Sequence, residues 1–253
     1  MDDTDFPKTR QLDLDLTVLR EVESTNTYVR DLPGDPGRVA VVVTDNQTSG
    51  RGRLGRTWSQ PAASGLAISI RFPAPTDTSW QAAFPLLVGA VVCDVVSEET
   101  GLLAVMKWPN DILVAGKKVA GVLCESHSGF LIAGIGVNLT YPEEHLPTPQ
   151  ATSLHLHTDL HSMLPDRLVH GIVAGLVDAV SKANRGHLPQ LIAAVSEKLA
   201  TIGQQVRVDF PDGSSRRATA TGLGDDGSLL VIWSDGTRGI VVAGDVWHVT
   251  PLT

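Results

Sequence analysis

Apolar residues in the first half of the chain fall in short runs bounded by polar and glycine-rich segments, a pattern typical of strands. The run at 39–44 is continuous and β-branched, which predicts a buried strand, whereas 66–72 alternates between apolar and polar positions. Further strands are predicted at 14–19, 105–108, 111–114, 119–125 and 130–139. This half of the molecule is therefore expected to be rich in strands.

Helical signals occur in four segments. Ser24, Thr25 and Asn26 precede Tyr28, and such residues are typical of a helix start because their side chains cap free backbone N–H groups. The same side chains could instead face a pocket and bind a neutral polar group, and both interpretations stay open at this point. Longer helices are predicted over 79–100 and, after a loop at 140–163, around apolar repeats at 168–180 and 188–199.

The pattern of apolar and polar residues changes near residue 204. Short alternating strands are separated by turns that end in Gly213, Gly227 and Gly236, and such spacing predicts a small β-barrel of about 50 residues. We therefore predict two domains, residues 1–202 and residues 203–253.

Composition narrows the functional class. The chain has 253 residues, 42% of them hydrophobic, and a formal net charge of −8, which disfavours a surface built to bind nucleic acid. Cys93 and Cys124 show neither metal-ligand spacing nor a disulfide framework. The N-terminus is acidic without a following apolar segment, and we find no run of about 18 apolar residues that would span a membrane. A reduced, cytoplasmic protein is expected.

The segment 50–58, here called the arginine loop, is a local exception to the acidic character of the chain. Within it, Arg51, Arg53 and Arg56 alternate with Gly50, Gly52 and Gly55. Guanidinium groups match the oxygens of phosphate and carboxylate, and glycines let backbone N–H groups approach the same anion. A solvated basic turn or a nucleic-acid contact is the alternative, but an isolated basic loop in an acidic protein favours a small anionic ligand over a polyanion. Repulsion among the arginines is expected to keep the empty loop mobile.

Other polar residues stand next to predicted strand ends or inside strands. Lys107 precedes Pro109, and Lys118 follows a tight turn on a paired strand, so the two lysines could converge on one ligand. Asn138 lies within an apolar run, where a structural hydrogen bond to the backbone is the default explanation. Histidines are frequent between 140 and 163, but nothing else there supplies a metal site.

These motifs occur in the same order in the biotin protein ligases, and the chain resembles that family from about residue 17 to its C-terminal barrel. The matching segments are Ser24-Thr25-Asn26, Gln47, the arginine loop with Trp58, Lys107-Trp108-Pro109-Asn110-Asp111, Gly116 to Gly121, and Gly134-x-Gly136-x-Asn138. The resemblance implies an α+β fold, with a mixed-sheet catalytic domain of the biotin/lipoate ligase type, similar to class II synthetases, followed by an SH3-like β-barrel.

The resemblance also implies a two-step reaction. Biotin and ATP would form biotinyl-5′-AMP, and biotin would then pass to a lysine of a biotin carboxyl carrier domain, expected to belong to an acyl-CoA carboxylase. Mg²⁺ would be carried by the ATP phosphates, with no metal site from the protein alone.

Residue roles follow from the resemblance. The biotin pocket would contain Ser24, Thr25, Asn26, Gln47, Arg51, Gly52, Arg53, Trp58, Lys118 and Gly121. ATP and the adenylate would be bound by Arg51, Arg53, Arg56, Lys107, Asn110, Lys118 and Asn138. The catalytic set would be Arg51, Lys107, Asp111 and Lys118. We hypothesise that Asp111 orients the incoming ammonium group and helps to take its proton, while Lys107 stabilises charge on the phosphate.

The chain departs from the family pattern in two places. Leu54 stands where some relatives carry a further arginine, and the segment before Ser24 is too short for the winged-helix domain of the ligases that also act as repressors. We therefore expect a ligase that binds neither nucleic acid nor membranes, as a monomer or weak homodimer. The alternatives are a lipoate or octanoate ligase or transferase of the same fold, and a non-catalytic biotin-binding module.

Overall fold

A seven-stranded mixed sheet forms the larger part of the molecule. The computed structural model describes residues 1, 5–33, 35, 37–73, 80–242 and 245–248. The strands of this sheet are β1 (Asp15–Leu19), β2 (Ala40–Thr44), β3 (Gly65–Pro73), β4 (Ala104–Lys107), β5 (Asp111–Val114), β6 (Lys117–His127) and β7 (Phe130–Asn138). Their order is β1-β2-β3-β7-β6-β5-β4, and only β1 and β2 pair in parallel.

Helices cover both faces of this sheet. They are α1 (Thr25–Asp31), α2 (Phe84–Thr100), α3 (Leu164–Asn184) and α4 (Leu188–Lys198). On one face α1 packs against β2, β3 and β7, and on the other α2 packs against β4, β5 and β6 beneath α3 and α4. Because the central strands are covered on both faces, their sequences are nearly continuous apolar runs.

The start of α2 differs from the prediction of a helix over 79–100. Residue 79 lies outside the described residues, Gln81–Ala83 form a 3₁₀ turn, and the α-helix begins only at Phe84 with Pro85 in its first turn. Proline is favoured there because its missing N–H would have no partner. Length and composition alone would let Gln81–Thr100 cross a membrane, but most of this segment is buried inside the protein, as in the core helix of a globular domain.

The strands predicted for the larger sheet match the observed strands β1–β7 within two residues at each end. The largest difference is β6, which runs from Lys117 to His127 and not from 119 to 125. The predicted loop at 140–163 contains two 3₁₀ turns, Glu143–His145 and Leu154–Leu156.

A five-stranded antiparallel sheet follows α4. Its strands are β8 (Gln205–Asp209), β9 (Ser215–Leu223), β10 (Leu229–Trp233), β11 (Arg238–Val241) and β12 (Asp245–His248), in the order β11-β10-β9-β8-β12. The sequence also predicts a strand at 246–249, which corresponds to β12, and residue 249 lies outside the described residues. The indole N–H of Trp108 donates to the carbonyl of Gly227 at 3.1 Å, which fixes this sheet against the larger one.

Candidate active site

A cleft opens between the N-terminus of α1, the arginine loop and the neighbouring strands β6 and β7. Its lining includes thirteen of the predicted site residues: Ser24, Thr25, Asn26, Gln47, Arg51, Gly52, Arg53, Arg56, Trp58, Asn110, Lys118, Gly121 and Asn138. Lys107 and Asp111 are not among the described residues that line the cleft. They are linked to it by ion pairs, since Lys107 pairs with Asp111 and Asp111 pairs with Lys118. The fold therefore brings together residues that are far apart in the sequence.

The N-terminus of α1 supplies the neutral polar end of the cleft. Ser24 occupies the N-cap position, but its side chain makes no capping hydrogen bond, so a simple capping role is not what the structure shows. The backbone N–H and hydroxyl of Thr25 lie 2.9 and 3.1 Å from Gln47 Oε1. Because this oxygen is occupied by Thr25, Gln47 offers its amide nitrogen as a donor.

Ser69, which sequence reasoning missed, supports this end from behind. It lies on β3 and is fully buried. Its hydroxyl donates to Asn26 Oδ1 at 2.6 Å and lies 2.7 Å from Thr25 Oγ1. No local motif marks Ser69, since it is one polar residue in an alternating strand.

The arginine loop is closed at its stem by backbone hydrogen bonds. Trp58 N–H donates to Gly50 O at 2.9 Å, and Gly52 N–H donates to Arg56 O at 2.7 Å. At the tip, Leu54 is 60% exposed and has a φ of 55°. A leucine in the left-handed region is unusual and places the local backbone under strain.

Two carboxylates offset the repulsion expected among the arginines of this loop. Arg51 forms a two-pronged pair with Glu125 at 3.0 and 2.8 Å. Arg56 donates to Asp245 Oδ1 at 3.0 Å, and Arg53 lies 3.7 Å from the same oxygen. Burial lowers the pKa of Arg53, with Asp245 acting in the opposite direction.

Trp58 lies across the floor of the cleft. A Cβ atom added to Gly136 would lie 2.3 Å from Trp58 Cε2, so only glycine lets the ring approach β7. Gly134 does the same for Asn26, whose Oδ1 would be 2.2 Å from an added Cβ atom. Both glycines therefore make room for a side chain that lines the cleft.

Lys107 and Lys118, which the sequence predicted to converge on a ligand, both lie next to Asp111. Asp111 Oδ1 lies 2.5 Å from Lys118 Nζ, and Asp111 Oδ2 lies 3.9 Å from Lys107 Nζ. Lys118 also lies 5.6 Å from the centre of the Trp58 ring. Burial lowers the pKa of Lys107, although the nearby Asp111 raises it.

Asn138 makes the backbone hydrogen bond that the sequence predicted. Its amide nitrogen donates to Thr152 O at 2.8 Å. Thr152 N–H donates in turn to Lys118 O, and Lys118 N–H donates to Gln150 O, both at 2.7 Å. The segment after β7 is thereby fixed along the edge of the cleft.

The remaining candidates for metal or thiol chemistry have other surroundings. Among the described residues, no group of three or more His, Cys, Asp and Glu side chains is placed to hold a metal ion. His155 and His157 bond to the hydroxyls of Ser153 and Thr152. Burial raises the pKa of Cys93 to about 12.

Comparisons with known proteins agree with this geometry. Residues 18–140 match the model of the Biotin/lipoate A/B protein ligase family, and residues 201–249 match that of the Biotin protein ligase C terminal domain. The biotin--[acetyl-CoA-carboxylase] ligase of Mycobacterium tuberculosis is 35% identical over 94% of this chain and 89% of its own length. The bifunctional ligase/repressor BirA of Bacillus subtilis is 27% identical, and the match covers 80% of this chain and 64% of that protein.

Solved structures show the same similarity. The biotin protein ligase of Aquifex aeolicus in complex with biotin and ATP has a TM-score of 0.80 and 26% identity, covering 93% of this chain and 99% of that one. The Leishmania major enzyme in complex with biotinyl-5-AMP has a TM-score of 0.64 and 27% identity, covering 90% and 99%. Motifs, cleft and relatives together establish that this chain belongs to the biotin protein ligase family.

Proposed function

We propose that this chain joins biotin to ATP to form biotinyl-5′-AMP and then transfers biotin to a lysine of a biotin carboxyl carrier domain. The observation that carries the proposal is that one cleft combines a neutral polar end at α1 with a cationic end at Lys118 and the arginine loop. Biotin has the complementary chemistry, with a neutral ureido ring and a carboxylate at the end of an apolar tail.

The neutral end accounts for ring recognition in this proposal. The ureido group would form hydrogen bonds with Ser24, Thr25, Asn26 and Gln47. The ring of Trp58, which lies against the glycines of β7, would contact the apolar part of the ligand. Arg51, Gly52 and Gly121 would border the tail, since each lines the same cleft.

The cationic end accounts for activation. Lys118 would leave Asp111 and hold the biotin carboxylate, whose oxygen attacks the α-phosphate of ATP and expels pyrophosphate. Arg53, Arg56, Asn110 and Asn138 would bind the nucleotide, and Lys107 would stabilise charge that develops on the phosphate. Magnesium bound to the ATP phosphates would neutralise part of their charge.

The second step needs an acceptor amine that has lost a proton. Once Lys118 has turned to the ligand, Asp111 is available to bind the ammonium group of the carrier lysine and take its proton. The neutral amine then attacks the acyl carbon, the bond to the phosphate oxygen breaks, and AMP leaves. We propose a carrier domain of an acyl-CoA carboxylase as the acceptor, by analogy with the name of the Mycobacterium tuberculosis relative.

We propose residues 1–202 as the catalytic domain and 203–253 as the barrel domain, and a cytoplasmic protein that acts as a monomer or weak homodimer without nucleic acid.

ATP–pyrophosphate exchange in the absence of carrier tests the proposal. Biotin should support exchange, and lipoate and octanoate should not; exchange with lipoate would move the chain to the sister activity. Lys118→Met should reduce exchange about 100-fold because it removes the cation that holds the carboxylate. Lys117→Met is the matched control, since Lys117 is the neighbouring lysine and is exposed. Equal effects of the two variants would contradict the proposed role of Lys118.

A further inference from the structure

Glu125, near the end of β6, connects two parts of the cleft without lining it. Its carboxylate accepts hydrogen bonds from Arg51 at 3.0 and 2.8 Å and from Asn26 Nδ2 at 2.7 Å. Arg51 and Asn26 both line the cleft, one on the arginine loop and one on α1. Glu125 is thus a shared partner of the loop and of the neutral polar end.

The contact with Asn26 fixes the orientation of an amide group. Ser69 donates to Asn26 Oδ1, while Asn26 Nδ2 donates to Glu125 and, at 3.3 Å, to Leu123 O. A rotation of this amide by 180° would turn its oxygen towards two acceptors and its nitrogen towards a donor. The carboxylate therefore helps to decide whether Asn26 presents a donor or an acceptor at each position.

The contact with Arg51 holds the arginine loop near its stem. A two-pronged guanidinium–carboxylate pair fixes direction as well as distance. The pair joins the loop to a strand 74 positions further along the chain. Without a negative charge at this place, Arg51 would face the other arginines of the loop with less compensation.

Building on the proposed function, we propose that Glu125 is a positioning residue that couples closure of the arginine loop to the orientation of Asn26. A loop held by Glu125 favours the side-chain arrangement that binds biotin, and bound biotin in turn favours the closed loop. Loss of the carboxylate should lower the closed fraction of the protein, and the apparent affinity for biotin falls with that fraction.

Limited trypsin digestion combined with pyrophosphate exchange tests this coupling. Trypsin cuts after Arg53 and Arg56, and mass spectrometry of the fragments identifies cleavage in the loop. Glu125→Gln keeps the size of the side chain and an oxygen for Asn26 but removes the charge, and Glu125→Asp is a second variant that keeps the charge. Asp94→Asn is the matched control because Asp94 is a carboxylate paired with Lys198 at 2.6 Å, outside the cleft.

For Glu125→Gln without ligand, we expect loop cleavage about fivefold faster than in the wild type and a KM for biotin about tenfold higher, with kcat within about twofold. Glu125→Asp should fall between these values, and Asp94→Asn should behave as the wild type. If trypsin cleaved the arginine loop of Glu125→Gln at the wild-type rate, the inference would be overturned. A fall in kcat at an unchanged KM for biotin would also overturn it. If the wild type itself lacked exchange with biotin, the proposed function would have failed, which is a different result.

Discussion

Asp111 holds two ammonium groups at once. Lys118 lies 2.5 Å from one of its oxygens and Lys107 lies 3.9 Å from the other. Two cations around one carboxylate leave a net positive charge, which suits a place where an anionic ligand arrives. In the proposed reaction Lys118 has two alternative partners, Asp111 before ligand binding and the ligand carboxylate afterwards.

Replacing Asp111 by asparagine should separate the two half-reactions. Adenylate formation should change by less than about fivefold, because Lys118 is still present, whereas transfer to the carrier lysine should slow about 100-fold without a base. Exchange measures the first step, and single-turnover transfer from preformed adenylate measures the second. Asp178→Asn serves as the control, since Asp178 forms an ion pair with Lys182 on the same helix, α3. An equal loss in both steps would remove the proposed role of Asp111.

Replacing Lys107 by methionine should stabilise the protein while it inactivates it. Burial lowers the pKa of Lys107 below that of a free lysine. The protonated lysine is therefore more favourable in the unfolded chain than in the folded protein. The resulting loss of folding stability is present at neutral pH and disappears as the pH rises through about 10.4, where lysine loses its proton in the unfolded chain.

The melting temperature of Lys107→Met should accordingly exceed that of the wild type at pH 7, and the difference should shrink as the pH approaches that value. Exchange should fall about 100-fold. A lower melting temperature at pH 7 would show that the contact of Lys107 with the ring of Trp247, 5.0 Å away, outweighs the cost of burial.

Residues that carry local motifs could be found from the sequence, and their partners could not. Thr25, Gln47 and Lys118 stand in recognisable strings, and they line the predicted cleft. The two carboxylates that hold the arginine loop lie in segments with no motif, and Asp245 is 189 positions from Arg56. Only the fold brings them together, so composition alone could not show that the arginines are paired with carboxylates.

The strand β7 can form the floor of the cleft because glycines occupy two alternate positions and leave no side chain there. Residues two apart in a strand face the same side, so Gly134 and Gly136 together leave room for Asn26 and Trp58. The large side chains that we propose to bind the ligand can therefore rest directly on the backbone of the sheet.

Gly136→Ala should disturb this floor. The added Cβ atom would lie 2.3 Å from Trp58 Cε2, so the ring must move away from the cleft floor. We expect a KM for biotin at least about tenfold higher and a loss of about 1–3 kcal/mol in the free energy of unfolding. Gly222→Ala on β9 is the control, because its nearest neighbour would be Leu230 Cδ1 at 3.9 Å. Similar KM values for both variants would show that the contact between Trp58 and β7 does not matter for binding.

The strands could be predicted closely because burial on both faces leaves a clear signal. β2, for example, is buried at every position, and its predicted start differs from Ala40 by one residue. The start of α2 was placed too early because Trp80 continues the helical apolar repeat, although it precedes a 3₁₀ turn. The α+β class is confirmed by the two sheets and by the family models.

The C-terminal sheet contacts residues at the edge of the candidate active site. Asp245 on β12 contacts Arg53 and Arg56 of the arginine loop, and Trp247 on the same strand contacts Lys107. Trp108, within the lysine-bearing motif, is bonded to Gly227 across the boundary. The two sheets are therefore joined at the side of the molecule where the arginine loop and the cleft lie.

Asp245→Asn should loosen the arginine loop at its barrel side and let the adenylate escape. Exchange should stay within about twofold of the wild type, because Lys118 and the neutral end of the cleft are unchanged. Without a carrier, release of biotinyl-5′-AMP into solution should rise about three- to tenfold, as loss of an ion pair that closes a loop increases the open fraction. Rapid filtration with radiolabelled biotin measures this release.

Asp235→Asn separates this effect from a general change in barrel charge, since Asp235 pairs with Arg216 at 3.3 Å on β9 and does not contact the loop. Release that rises equally in both variants would reflect charge alone. Release that rises only in Asp245→Asn would mean that the barrel retains the intermediate until the carrier lysine arrives, which explains why a ligase needs a second sheet beside a complete ligand cleft.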